Sequence, residues 1–155
     1  MKLFNSNNVI ILNKNLDWEE SIKIAAKPLL KNKSIEVSYV DAMIDSVNKF
    51  GSYIVVAPHI ALAHARPEDG VNKIGVSLLK NEKSINFNID KNSFDSEKEV
   101  YLVLVLAAVD NSSHLNILKE LAHLMDSDEK IKKIINANDE NKLIKIINNI
   151  STEEE

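Results

Sequence analysis

The chain predicts a single-domain α/β protein, a mixed β-sheet sandwiched between helices. Three observations carry that expectation. The run VYLVLVLAA, residues 100 to 108, is apolar throughout, and a strand with two apolar faces needs helices on both sides. Short apolar runs broken up by amphipathic stretches fill the first two thirds of the chain, and the last third has a helical pattern. The length of 155 residues, with 45% hydrophobic and 27% charged side chains, suits one domain with one core. The expected bounds are 1–150 for the domain and 151–155 for a frayed acidic tail, STEEE. No repeat, low-complexity block or linker divides the chain.

In order, Val9 to Leu12 reads as an edge strand. Asp17 and Glu20 form a capping box, ahead of Trp18, Ile22, Ala25, Ala26, Leu29 and Leu30 at helical spacing. Pro28 is expected to end or kink this helix near Lys27, because its ring clashes with the preceding turn. Ser38 with Asp41 repeats the capping pattern, Tyr39, Met43, Val47 and Phe50 form a second stripe, and Gly51 fits a helix stop. Tyr53 to Ala57 is expected to be a buried strand, followed by a second one or a strand end from Ile60 to Ala65. Ile74 to Leu79 and Ser84 to Phe87 read as a hairpin around Asn81-Glu82. Residues 88 to 98 are the longest polar interval and read as a surface loop. After the central strand, a helix begins near Ser112 with Leu115, Leu118, Ala122 and Met125 on one stripe. Ser127 caps a short helix, and a last helix covers roughly 139–150.

Composition excludes several classes of function. There are no cysteines, which removes disulfides, thiolate metal sites and cysteine catalysis together. A formal charge of -4 and a pI near 5.6 argue against nonspecific nucleic-acid binding. The N-terminal stretch lacks the apolar core of a signal peptide, and no apolar run approaches the roughly 20 residues of a membrane span, so a cytoplasmic location is expected.

The chemistry concentrates in APHIALAHARPEDGV, residues 57 to 71. His64 is the candidate nucleophile for a phosphoryl group. An imidazole is largely neutral and nucleophilic near pH 7, with a reference pKa of about 6.5, and forms a labile P–N bond. Ala63 and Ala65 are small enough to leave the ring open to a bulky partner. Arg66 supplies a permanently charged fork for phosphate oxygens, and the turn from Pro67 to Gly70 offers backbone N–H groups. His114 is expected two residues into a helix capped by Ser112 or Asn111. There the helix start would seat phosphate and keep the ring neutral. It also follows the C-terminal end of the central strand, where open α/β sheets place their sites.

The other two histidines read differently. His123 lies nine residues past His114, about 900° around a helix at ~100° per step, and so faces away, towards solvent. His59 and His64 would point to opposite faces of a continuous strand, although a bend at Pro58 could bring His59 to the rim. A zinc site from His59, His64 and His114 competes with the phosphoryl reading, but no carboxylate or cysteine with metal-like spacing lies nearby. No metal or organic cofactor is expected. Ile60, Leu62 and neighbouring loops are the expected apolar docking rim.

These residues resemble a known family. APHIALAHARPEDGV followed by KIGVSLLK is similar to the active-site segment of the EIIA components of the bacterial phosphotransferase system. The resemblance is to the mannitol/fructose superfamily, and most to its ascorbate-type branch. It extends from DWEESIKIAAKPLL through YVDAMIDSVNKFGSYIVVAP to SSHLNILKELAHLM. It implies a mixed sheet between helices and a phosphotransferase with a phosphohistidine intermediate. His64 would accept phosphate on Nε2 from phospho-HPr and pass it to a cysteine of the cognate EIIB, for sugar uptake through the membrane EIIC. His114 matches the family's second histidine, which stabilises the phosphorylated state. The sugar would never touch this chain. Two positions depart from the pattern: Ala63 stands where members commonly carry proline, and Ser46 falls about where mannitol-type members have arginine. Arg66 would then supply that charge. A second role implied by the resemblance is a regulatory module whose phosphohistidine alters partner contacts instead of feeding transport.

Overall fold

The computed structural model describes residues 3–89 and 94–152. Five strands, β1 (Val9–Leu12), β2 (Val55–Ala57), β3 (Ile60–Ala63), β4 (Gly75–Asn86) and β5 (Glu99–Ala107), form one sheet in the order β1-β4-β5-β3-β2. β1 runs parallel to β4, and β5 parallel to β3, while the β4–β5 and β2–β3 pairs are antiparallel. The expected central strand is therefore β5, with two neighbours on each side.

Its alternation builds both cores. Val103, Val105 and Ala107 face one layer, packing with α1 (Trp18–Lys31) and α2 (Val37–Phe50). Leu102, Leu104 and Leu106 face the other, packing with α3 (Asn111–Met125), α4 (Asp128–Ile135) and α5 (Glu140–Thr152). All six are buried, and full burial of a leucine is worth about 1.5–3 kcal/mol. Among the described residues no helix is long and apolar enough to cross a membrane.

The capping box is present: Asp17 Oδ1 accepts from the Glu20 amide at 2.8 Å and Glu20 Oε1 from the Asp17 amide at 3.4 Å. Pro28 does not stop α1, which continues to Lys31. A proline so near the end removes one ladder bond, while the turn it begins carries buried Leu29 and half-buried Leu30 to the core. Ser38 does not cap α2. Glu36 stands at the cap, and Ser38 Oγ instead donates to the Asp69 carbonyl at 2.9 Å. The stripe on α2 is Tyr39, Val40, Met43, Ile44 and Val47, whereas Phe50 is 67% exposed. Gly51 does end the helix, at φ 78°.

The buried strand expected at Tyr53 to Ala57 is a 3₁₀ turn, Ser52–Ile54, and then the short edge strand β2, with Tyr53 and Val56 exposed. The expected hairpin around Asn81-Glu82 is absent; β4 is a single strand whose pairing with β5 shifts register between Lys80 and Ile85. Asn81 explains the continuity. Its buried side chain donates to the Lys14 and Lys83 carbonyls, both at 2.8 Å, and accepts from the Lys14 amide at 3.1 Å. Its polar groups are thereby satisfied inside the sheet, where a turn would have left them in water. Lys80 is also buried, its Nζ donating to Ala137 O and Asn138 Oδ1 at 2.7 Å, and burial lowers its pKa.

On α3 the buried positions are Ile117, Leu121 and Leu124, one residue before three of the expected stripe positions, and Leu115 is 59% exposed. Ser127 caps α4 as expected, accepting from the Lys130 amide. Within the expected loop 88–98, residues 90–93 lie outside the described residues, and Ser96–Lys98 forms a 3₁₀ turn. Of the tail, 151 and 152 continue α5, and 153–155 lie outside the described residues.

Candidate functional site

The site forms where two parallel strands part. The last paired residues of β3 and β5 are Ala63 and Val105. Beyond them one chain leaves through His64, Ala65 and Arg66 into a 3₁₀ turn, Pro67–Asp69, and the other leaves through Ala108 and Val109 into α3. Such a fork at the C-terminal end of a sheet is where α/β proteins hold ligands.

Two imidazoles meet there. The rings of His64 and His114 lie 5.8 Å apart, centroid to centroid, at 64°. The His64 Nδ1 lies 3.2 Å from the Leu62 carbonyl. A carbonyl only accepts, so Nδ1 carries the proton and, in the neutral ring, Nε2 keeps its lone pair. Tyr53 stands edge-on to the same ring at 6.4 Å, and Phe50 edge-on to Tyr53 at 6.0 Å. Burial lowers the His114 pKa, and the charge of His64 lowers it further.

The helix start differs from the expected one. The cap is Asp110, whose carboxylate accepts from the Ser113 amide at 2.7 Å, and the amide of His114 donates to the Asp110 carbonyl at 3.1 Å. A carboxylate thus occupies the end of the helix that the sequence offered to phosphate, and the side chain of His114 is what faces His64. The bond from Ser113 is the first cause holding Asp110 below its usual pKa. Two amides of the Pro67–Gly70 turn, and the one that follows it, are spent internally: Asp69, Gly70 and Val71 donate to Arg66 O at 2.9 Å, Pro67 O at 3.2 Å and Pro67 O at 3.0 Å. Arg66 is exposed, with Nε 4.0 Å from Glu68 Oε1 and 3.9 Å from Asp69 Oδ2.

His59 lies at the other end of β3, in the β2–β3 turn at φ 69°. Its Nδ1 donates to the Glu99 carbonyl at 2.8 Å and its ring stands edge-on to Tyr101 at 5.7 Å. The bend at Pro58 does not bring it to the rim, and the three-histidine zinc site is not assembled. Among the described residues no group of three or more metal-ligating side chains could hold a metal ion. His123, on the same continuous helix as His114, is half-buried and not simply solvent-facing.

Ile60 and Leu62 do not form a rim, being only 1% and 3% exposed. β3 is covered on both faces, so its apolar side chains all point into cores. The exposed apolar groups near the histidines are Phe50, Tyr53, Val109 and Leu115. Sequence reasoning named none of the four for the rim, and for two of them, Phe50 and Tyr53, a signal was present. Their signal was an aromatic pair placed directly around the α2 stop at Gly51. A cavity of about 800 Å³ lies elsewhere, between the end of α1 and the outer side of the α3 start, lined by residues such as Asn8, Asn32 and Asn116. His64 and His114 are both half-buried, so the pair is partly open to solvent.

Residues 2–150 match the family described as phosphoenolpyruvate-dependent sugar phosphotransferase system, EIIA 2. The chain belongs to this family of phosphotransfer proteins. It is 32% identical over 131 residues to the ascorbate-specific PTS system EIIA component of Escherichia coli K12, covering 84% of this chain and 82% of the relative. It is 30% identical over 144 residues to the mannitol-specific cryptic phosphotransferase enzyme IIA component of the same organism, covering 93% and 94%. The solution structure of the latter matches with a TM-score of 0.83, over 96% of this chain and 99% of that one. At 23% identity, which bears on fold alone, the chain also matches the complex of enzyme IIA-mannitol and phosphorylated enzyme IIB-mannitol from Escherichia coli with a TM-score of 0.76.

Proposed function

We propose that this protein is a phosphocarrier in which His64 Nε2 takes a phosphoryl group from phospho-HPr and hands it to a cysteine of a cognate EIIB, feeding sugar uptake through a membrane EIIC. The observation that carries the reading is the His64–His114 pair, with Nδ1 of His64 engaged by a carbonyl and Nε2 left as the free lone pair. In the first step a P–N bond forms at Nε2 as the donor's bond to phosphorus breaks. In the second, that P–N bond breaks as phosphorus bonds to the EIIB sulfur. Neither step needs a metal or organic cofactor; catalysis is positioning and charge stabilisation.

His114 approaches the phosphoryl oxygens as a hydrogen-bond donor. Arg66 contributes charge by exchanging its contacts with Glu68 and Asp69 for the phosphate. Phe50, Tyr53, Val109 and Leu115 form the docking rim, which HPr and EIIB occupy in turn in small, brief interfaces. The two named relatives serve different sugars at nearly equal identity, in keeping with selectivity residing in EIIB and EIIC.

Incubation with phosphoenolpyruvate, Enzyme I and HPr is expected to add one acid-labile phosphate, lost in His64→Ala and kept in His123→Ala. A wild-type protein left unmodified under those conditions rejects the reading.

A further inference from the structure

We infer that Tyr39 is the positioning residue for His64: its phenol, seated where β3 and β5 part, fixes the backbone that aims the imidazole. The catalytic part of this inference rests on the phosphocarrier reading; the geometric part does not. Tyr39 is 1% exposed and lies on the first turn of α2. Its Oη accepts from the Ala65 amide at 3.0 Å and donates to the Leu106 carbonyl at 2.6 Å. Oη also lies 3.3 Å from the Ala65 carbonyl, but a phenol has one proton, and the shorter Leu106 contact takes it. The last strand pair is Ala63 with Val105, so Tyr39 bridges the next step of the fork, where the ladder can no longer do so. It stands between the strand that delivers His64 and the one that leads to His114.

The same helical turn holds the far side of the segment. Ser38 Oγ donates to the Asp69 carbonyl at 2.9 Å, and the Glu36 amide to the Gly70 carbonyl at 2.9 Å. Gly70, at φ 139°, allows that approach: a Cβ there would lie 2.6 Å from Ser38 Oγ and 3.0 Å from the Tyr39 amide nitrogen. The stretch from Ala65 to Gly70 is thereby referenced to α2 at both ends. This matters because the ring's own tether, Nδ1 to Leu62 O at 3.2 Å, is at the long edge of the hydrogen-bond range. A weak tether keeps one ring orientation only if the backbone beneath it does not move.

The test compares wild type, Tyr39→Phe and Ser38→Ala by two readouts. The first is phosphoryl uptake from phospho-HPr by rapid quench, with kcat the limiting single-turnover rate and KM the half-saturating phospho-HPr concentration. The second is ¹⁵N NMR of the imidazoles without any donor. Tyr39→Phe is expected to cut kcat about tenfold, the loss of roughly one net hydrogen bond's worth of positioning, with KM for phospho-HPr within about twofold. The His64 signals are expected to move from an Nδ1–H tautomer towards an averaged pair, with those of His123 unchanged. Ser38→Ala, which loosens the segment from its exposed side, is expected to show the same changes at smaller amplitude, and stands in if Tyr39→Phe does not fold. Wild-type kcat together with wild-type His64 signals in the folded variants overturns the inference. Altered His64 signals in a protein that takes up no phosphate would uphold the geometric role and reject the phosphocarrier reading instead.

Discussion

The two ends of β3 carry one histidine each, and at first sight they are alike. Both rings are half-buried, both engage a main-chain carbonyl through Nδ1, and both stand edge-on to a tyrosine. The difference lies in what else surrounds them. His59 is held by β5 and the 3₁₀ turn just before it: its amide donates to Glu97 O at 2.8 Å, its carbonyl accepts from the Tyr101 amide at 3.0 Å, and its ring donates to Glu99 O at 2.8 Å. His64 has the longer ring tether and faces a second imidazole across an open fork. With Nδ1 donating, either neutral ring keeps a lone pair on Nε2. What sets His64 apart is the second imidazole beside that lone pair, past the last ladder pair of β3 and β5.

The sharpest way to break this comparison is to truncate both rings. His64→Ala is expected to reduce phosphoryl uptake to background, whereas His59→Ala keeps it; equal losses would erase the distinction. Next comes His114→Ala, expected to slow uptake by about tenfold to a hundredfold, or about 1.4–2.7 kcal/mol in barrier, measured by rapid quench with phospho-HPr.

His114 also gives the comparison a pH axis. Its folded pKa is lowered, by burial first and by His64 second. The unfolded chain therefore takes the proton first. Stability is full above about pH 6.5 and falls as pH drops through the window between that value and the lower folded pKa. In His64→Ala the His114 pKa is expected to rise only part of the way, because burial remains. A phosphoryl group on His64 would place negative charge beside His114 and is expected to carry the His114 pKa upward instead. An NMR titration of the three forms reads all of this.

Smaller effects refine the contrast. Arg66→Ala is expected to slow transfer about threefold to tenfold while shifting stability by less than about 0.5 kcal/mol, since exposed pairs contribute little; an equal loss of folding in urea denaturation would contradict a role at the phosphate. His59→Ala is expected to do the converse, costing about 1–2 kcal/mol of stability with uptake rates within about twofold.

The sheet's centre and the general order of elements were legible because burial on both faces leaves a mark no loop can imitate, as in the run that became β5. Local polar signals misled wherever tertiary bonds absorbed them. Asn81-Glu82 has turn chemistry, yet the amide of Asn81 is satisfied by Lys14 from another part of the chain. Ser38 looks like a cap and is a staple. A helix start capped by Ser112 or Asn111 reads as a seat for phosphate, but the cap is Asp110, whose carboxylate takes the Ser113 amide. His64 and His114 were legible as a pair because each lies just beyond an apolar strand. The rim was not: exposure of Phe50 and Tyr53 depends on how α2 ends, and burial of Ile60 and Leu62 on which strands flank β3. Nothing in the local pattern encodes either.

Phe50, Tyr39 and Tyr53 come from α2 or from the turn just after it, on one side of the sheet, whereas the ring of His114 is carried by α3 on the other. No direct bond spans the gap between the two imidazoles. The spacing of the two rings is therefore set by how both helical layers seat on one sheet. Overfilling at Ala25 or a void at Leu121 is expected to shift the His64 and His114 NMR signals without touching either ring.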